Sequence, residues 1–431
     1  MNAESRHECH VRSVTRIVCI MGYTSSASCL MSSLLDSHPN IISLPDNVVS
    51  DFQDFWDINS SLSLDLLLDA FLVKYTIIFD ARTSPESLKG TAESGEARGF
   101  TTLGPDRKSH LEVDRLIFRS YMKEFIGDAH PVPRKLFFQA MHVAYSKALN
   151  QEVSNPIIVF GLHSLTHPQR IKGLMEDFSD VSFLTMVRHP LRATASRFKR
   201  QVKYGISASH FHRIITGVSR SGVTDPSTIY NRWKAVRMED LHCFPEQSMR
   251  HICNWLELPW DKVLLKSTIN GKKWWNEKKS LQISGFNTSI SSQSFDEYLP
   301  IIDSLRLEIL LGSKCTSWGY KIPWGNENTI VKLLVLPLLL IPFKMEIIAW
   351  SIIMVNIRRE KKSFIKKMWS YSRTLLGGYG LGRIALFRAW LQIIYKRKRN
   401  ISLSEWTKSL QPDSLENPSA DLRNQNTEDR L

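Results

Sequence analysis

Apolar and polar positions along the chain repeat with two periods. Residues 16–23 (RIVCIMGY) form a short apolar, β-branched run ending at Gly22, which predicts a buried strand. In residues 28–36, Leu30, Met31, Leu34 and Leu35 fall at i, i+1, i+4 and i+5. That spacing marks one helical face, and Ser37-His38-Pro39 stops it. The stretch 62–79 reads as a helix, or as a helix followed by a strand. Residues 81–109 lack a period and read as a long loop; 111–126 and 134–149 read as helices. Further apolar runs at 156–161, 181–187 and 233–238 predict three more strands. The first leads into Leu162-His163-Ser164, the second into Arg188-His189-Pro190 and a helix to about 203. The third leads into Glu239-Asp240, read as a structural strand end, and an amphipathic helix over 245–257. Residues 280–295 are Ser-rich and read as a surface loop. Unbroken apolar strands alternating with helices predict an α/β fold: a parallel sheet covered by helices on both faces.

The pattern changes at 330–357. Apolar runs there are broken by Lys332, Pro337, Pro342, Lys344 and Glu346, so no uninterrupted run reaches the length of a spanning helix. Arg358, Arg359, Lys361, Lys362, Lys366 and Lys367 follow. A second cluster, Lys396 to Arg399, follows an amphipathic stretch at 383–395. Residues 401–431 are polar, and disorder is expected there. The division expected is therefore an α/β domain at 1–320, a basic apolar helical region at 321–400 and a tail at 401–431.

Charge sharpens that division. The net charge is +14, yet residues 1–320 carry 37 basic against 33 acidic side chains, while 321–400 carry 16 against 3. The basic excess belongs to the appendage and implies an anionic partner. Long aliphatic runs, rather than stacking aromatics, lie between the basic clusters, which favours an anionic membrane face over nucleic acid. A helical subdomain packed on the core, or a broken hairpin entering the bilayer, are the other readings. With 43% hydrophobic and 23% charged residues, the composition excludes a mostly disordered or fibrous chain. Six cysteines are too sparse for a disulfide framework, and no Cys/His spacing suits zinc, so no metal is expected. The first 16 residues contain no apolar run; no signal peptide is expected, and a cytoplasmic location, peripheral at the cytoplasmic face of a membrane, follows.

Two loops carry candidate chemistry. The first, GYTSSASCL from Gly22, joins a strand to a helix and aims free backbone N–H groups at one point, an arrangement suited to an anion. Ser25, Ser26 and Ser28 add hydroxyls; a plain Ser-rich turn with an N-cap is the alternative. It lacks the second Gly and the Lys of the nucleotide-triphosphatase loop. The second loop, RHPLRATAS, places Arg188 at a strand end and Ser196 about two turns into a helix. Arg192, Lys199 and Arg200 read as a solvated basic face.

Together the loops resemble the phosphate-binding motifs of sulfotransferases that use 3′-phosphoadenosine 5′-phosphosulfate (PAPS). LLDSHPNI at 34–41 and RMEDLHCFPEQSMRHICNWLELPW at 237–260 add to a resemblance covering roughly 14–275. It implies a P-loop-like fold. It also implies that Tyr23, Thr24, Ser25, Ser26, Ala27, Ser28 and Cys29 cradle the 5′-phosphosulfate, while Arg188 and Ser196 hold the 3′-phosphate. His163 is the implied general base on an acceptor hydroxyl or amine, suited by a pKa near working pH, with His167, Glu239 and Asp240 as weaker alternatives. Many members carry Lys or Arg at the position of Ser25, where a cation meets charge building on the leaving oxygen. Lys272 and Lys273 in INGKKWW are candidates to replace it, or form an ordinary basic loop. Cys29 stands where members carry Thr or Ser; a small packed residue or a thiol of lowered pKa would each suit the position. Trp274 is placed to stack an adenine or to fill the core. The implied activity is sulfuryl transfer to a glycan, lipid or small-molecule acceptor, lipid-linked if the appendage meets a membrane. The alternative is a non-catalytic nucleotide-binding or membrane scaffold that keeps the fold.

Overall fold

The structure, a computed structural model, describes Val11, Val153, Lys361 and residues 14–22, 26–84, 94–151, 156–162, 168–206, 232–276, 284–290, 297–320, 329–359 and 363–395, apart from scattered positions. The chain divides into two compact units. The first comprises Met1–Met186, Thr228–Val236 and Phe244–Asn287; the second comprises Val187–Ser227, Arg237–Cys243 and Thr288–Leu431.

The first unit is built on a five-stranded sheet: β1 (Arg16–Gly22), β2 (Ile41–Ser43), β3 (Ile157–Leu162), β4 (Asp180–Val187) and β5 (Trp233–Arg237), in the order β2-β3-β1-β4-β5. The pairs β1–β3, β1–β4 and β2–β3 are parallel. Every residue of β3 is buried, and in β1 only Arg16 reaches solvent. Strands apolar at every position are what a sheet covered on both faces requires. Four of these strands match the sequence reading within a residue. Ile41–Ser43 has three residues, too short to show a period of two.

Helices cover the sheet around an aromatic core. Phe52 stacks on Phe137 and Phe71 on Phe118, with ring centroids 6.1 and 5.9 Å apart. The helix Arg115–Ile126 starts later than periodicity suggests. Asp114 caps it, accepting hydrogen bonds from Leu116 N and Ile117 N, while Glu112 bridges to Asp80. The stretch 62–79 ends in a 3₁₀ turn, Thr76–Ile78, rather than a strand: Tyr75 N caps the helix Leu64–Lys74 on Phe71 O, and its hydroxyl donates to Asp51. The described part of 81–109 has no helix or strand and is tied by a bridge between Leu103 and Ser109.

His142 lies wholly inside this core, against Phe138 and Phe160, with Nδ1 at 2.8 Å from Phe138 O. Burial drops its pKa to about 4. The unfolded chain therefore binds a proton near pH 6.5 that the fold refuses until about pH 4, so this contribution to stability is lost as pH falls through that window. His142→Leu is expected to flatten the fall of melting temperature between pH 6.5 and 4; an unchanged slope would refute the assignment.

The second unit is helical. Its helices are Pro190–Tyr204, Met238–Cys243, Ile301–Ser317, Thr329–Val335, Lys344–Arg359, Phe364–Ser372 and Leu381–Tyr395, with a π-helical turn Arg373–Gly380 before the last. Glu239 and Asp240 thus sit in a short helix rather than at a strand end. Leu333–Arg359 is, among the described residues, the one helical stretch long and apolar enough to cross a membrane by length and composition, with mean hydropathy 2.0. A core helix passes the same test.

That stretch is broken in its first half, and the break is built. Around Pro337 and Pro342 the α-helical bonds lapse, which frees carbonyls. The Arg306 guanidinium donates to Leu338 O (2.8 Å) and Ile341 O (2.6 Å), and Arg383 donates to Leu339 O (2.6 Å). Tyr379 hydroxyl donates to Leu340 O. Asp303 pairs with Arg306 and accepts from Lys344 N; Glu346 pairs with Arg383 and accepts from Phe343 N. The Phe343 ring lies 3.9 Å from the Arg306 guanidinium. Arg306 and Asp303 are 2% exposed, so charge, carbonyl and ring pair away from water, although Arg306 Nε and Arg383 Nε find no partner among the described residues.

Candidate functional site

β1 is the central strand. Its last residue, Gly22, stands opposite Met186 of β4, and Met21 stands opposite Leu162 of β3. The segments leaving β1 and β3 therefore start at the same edge of the sheet, where α/β sheets place their sites. Tyr23, Thr24 and Ser25 on the first segment and His163 and His167 on the second lie outside the described residues.

The rest of the first loop is Ser26 and Ala27, leading into the helix Ser28–Leu35. Ser26 is 1% exposed, and its Oγ finds no hydrogen-bond partner among the described residues. Ala27 adopts φ 67° and ψ 27°, a left-handed conformation that costs an alanine energy. The first turn of the helix holds no acidic residue and no side-chain cap. A buried hydroxyl with no partner among the described residues, at a helix start without a side-chain cap among them, is an arrangement that an anionic oxygen would complete. A Cβ on Gly22 would lie 2.5 Å from Ser26 Oγ and 3.1 Å from Ser28 Cβ. Gly22→Ala is expected to displace that hydroxyl. If the loop holds a phosphate, as the resemblance implies, affinity for 3′-phosphoadenosine 5′-phosphate should weaken about tenfold or more, the loss of one charge-assisted hydrogen bond. Calorimetry checks this, with melting temperature as the folding control. Cys29 is half-buried and packs on the cluster of Phe100, Leu103 and Trp274, as a small packed residue does.

The end of the same helix explains the SHP continuation. Asp36 is buried and accepts from Asn270 N (3.1 Å) and Gly271 N (3.0 Å). Burial raises its pKa, against the pull of those hydrogen bonds. Ser33 and Ser37 pair with Ser267 and Thr268 through their hydroxyls, at 2.7 and 2.8 Å. His38 Nε2 lies 2.9 Å from Pro259 O, while its Nδ1 accepts from Asn40 N. Asn270 and Gly271 have positive φ (49° and 72°), the turn of a two-residue hairpin between Thr268–Ile269 and Lys272–Lys273.

Lys272 and Lys273 are thus exposed hairpin residues. Lys272 Nζ donates to His110 O at 3.1 Å, and Lys273 Nζ lies 3.9 Å from the Trp275 ring centroid. Trp274 is 2% exposed, donates to Arg98 O and fills the core, so it is not an adenine platform.

Arg188 and Ser196 belong to the second unit. Arg188 is 6% exposed. His189 N donates to Glu239 Oε1 (3.1 Å), and Glu239 Oε2 accepts from Tyr320 hydroxyl (2.7 Å). The Tyr320 ring packs edge-on against His189. Arg237 forks onto Asp240 at 2.7 and 2.5 Å and donates to Gly319 O. Glu239 and Asp240 are therefore occupied in holding this corner. Burial lowers His189 and His242 to about 4, helped by Arg188 and opposed by Glu239, so both rings are neutral at pH 7. Pro190 opens the helix that carries Ser196, which is half-buried. Arg192 and Arg200 are also half-buried; of the expected solvated face only Lys199 is fully exposed.

Two features escaped the sequence reading. Arg98, inside the aperiodic stretch, donates to Asp46 (2.6 Å) and Asn47 (2.7 Å). A Cβ on Gly161 in β3 would lie 2.5 Å from Asp46 O, so this pair crowds the sheet edge from which the His163 segment departs. No periodicity announces an ion pair 52 residues apart. Tyr320 likewise carries no local signal. The i, i+3 spacing of Arg237 and Asp240 was readable.

A family model described as the sulfotransferase family matches residues 18–262. No curated protein matches the chain. Similar solved structures include the sulfotransferase domain of a Synechococcus olefin synthase: 17% identity, TM-score 0.40, 72% of this chain and 96% of that one. Another is the sulfotransferase domain from the curacin biosynthetic pathway: 13% identity, TM-score 0.35, 72% and 99% coverage. A Mycobacterium avium sulfotransferase matches at 14% identity and TM-score 0.31, covering 61% of this chain and 72% of its own.

Proposed function

This chain belongs to the sulfotransferase family, and from that premise we propose that it moves a sulfuryl group from PAPS to a hydroxyl or amine. The observation that carries the reading is the buried Ser26 hydroxyl, which finds no hydrogen-bond partner among the described residues, at a helix start with no side-chain cap among them and beside a glycine whose Cβ would meet that hydroxyl. In this reading Tyr23 to Cys29 hold the 5′-phosphosulfate, while Arg188 and Ser196 hold the 3′-phosphate. The acceptor oxygen or nitrogen bonds to sulfur as the bond from sulfur to the bridging oxygen breaks. The electron pair leaves with 3′-phosphoadenosine 5′-phosphate, and His163 takes the acceptor proton. Lys272 and Lys273 would supply cationic charge in place of the residue missing at Ser25. The acceptor is a glycan, lipid or small molecule, presented at the cytoplasmic face of an anionic membrane; nucleic acid is not the partner.

Calorimetric titration with 3′-phosphoadenosine 5′-phosphate tests the reading, and absence of binding refutes it. Turnover of labelled PAPS with a lipid extract then tests catalysis. One observation favours a second reading: Ser25 stands where many members carry a cation. Binding without turnover would identify a nucleotide-binding scaffold.

A further inference from the structure

The helix Phe364–Ser372 buries none of its residues. At 100° per residue, Phe364, Met368, Ile365 and Trp369 fall within one arc of about 140°, and Lys366 and Lys367 fall outside it. Those four apolar side chains are 76, 52, 79 and 72% exposed. Leu375 and Leu376, 50 and 74% exposed, follow in the π-helical turn Arg373–Gly380 and extend the exposed apolar surface. Lys367 Nζ donates to Arg358 O, which closes the preceding helix at the exposed cluster Arg358, Arg359 and Lys361. An apolar arc of this size, rimmed by cations, needs a cover.

Charge selects the cover. Segment 321–400 carries 16 basic and 3 acidic side chains, which matches anionic headgroups, and aromatic residues beside lysines suit the boundary between headgroup and acyl chain. The break at 336–343 selects the geometry. Were Leu333–Arg359 to cross the bilayer, Glu346 at its centre, with Asp303, Arg306 and Arg383 bound to residues 338–346, would be drawn into hydrocarbon. We infer that Phe364–Ser372, continued by Leu375 and Leu376, lies in the plane of an anionic bilayer. Its apolar arc enters the acyl boundary, and Arg358, Arg359, Lys361 and Lys366 meet lipid phosphates. The inference rests on the membrane part of the proposed function and is independent of sulfuryl transfer.

The test is flotation of the full chain with phosphatidylcholine vesicles, with and without about 30% phosphatidylglycerol. Binding is expected only on the anionic vesicles, weakened in about 0.5 M salt and stripped by alkaline carbonate. The triple variant Phe364→Ser, Ile365→Ser, Trp369→Ser should bind at least about tenfold more weakly while melting at the wild-type temperature, since the helix buries nothing. If the variant floats like wild type, this surface is wrong although membrane attachment stands. If wild type floats with neither vesicle, both fall. Resistance to carbonate would mean a spanning segment, and a dimer dissolved by the variant would mean that a second copy covers the face; either overturns the inference.

Discussion

Arg188→Gln is expected to lower kcat/KM for PAPS by about two to three orders of magnitude and to abolish calorimetric binding of 3′-phosphoadenosine 5′-phosphate at micromolar concentration. The guanidinium is 6% exposed, where water competes little for its donors, and its histidine neighbours are neutral. A phosphate there would take charge-assisted hydrogen bonds from a planar fork that glutamine cannot supply. Arg188→Lys keeps the charge without the fork and should fall between the two. The corner is also held by other pairs, His189 N to Glu239, Tyr320 to Glu239 and Arg237 to Asp240, and the melting temperature serves as the folding control. Wild-type affinity in the glutamine variant would remove Arg188 from the proposed cradle.

The largest stability effect is expected at Arg306. Arg306→Leu leaves Asp303 buried without its cation and deprives Leu338 O and Ile341 O of their donor. Removing one partner of a buried ion pair costs about 3–5 kcal/mol, because the surviving charge stays desolvated. Calorimetric unfolding should show this loss as a lowered melting temperature. Adding Asp303→Leu should recover part of it by removing the stranded carboxylate. A single variant with an unchanged transition would mean that the break at 336–343 is held by Arg383 and Tyr379 alone.

Much of the sheet was legible because its central strands are buried on both faces and therefore read as apolar runs, as in IIVFGL at 157–162. Helix ends set by a single side chain were not: Asp114 decides where Arg115–Ile126 begins, and periodicity is blind to a cap. The first loop was legible from its place between a strand and a helix, yet the reason for Gly22 lies in a clash with Ser26 that spacing alone does not convey. Trp274 could be core or platform from sequence; only its packing on Phe100 and Leu103 decides for core. The prolines at 337 and 342 read as interruptions of an apolar run. That the interruption is upheld by Arg306, 31 to 36 positions earlier, is long-range information that composition cannot carry.

The ties from Ser33, Asp36, Ser37 and His38 to Pro259, Ser267, Thr268, Asn270 and Gly271 join parts of the chain more than 200 residues apart. An N-terminal fragment stopping at Leu256 would bury Asp36 with no amide to receive it. Limited proteolysis between 257 and 266 should therefore release pieces that stay together until denatured, whereas the same fragments made separately should be insoluble.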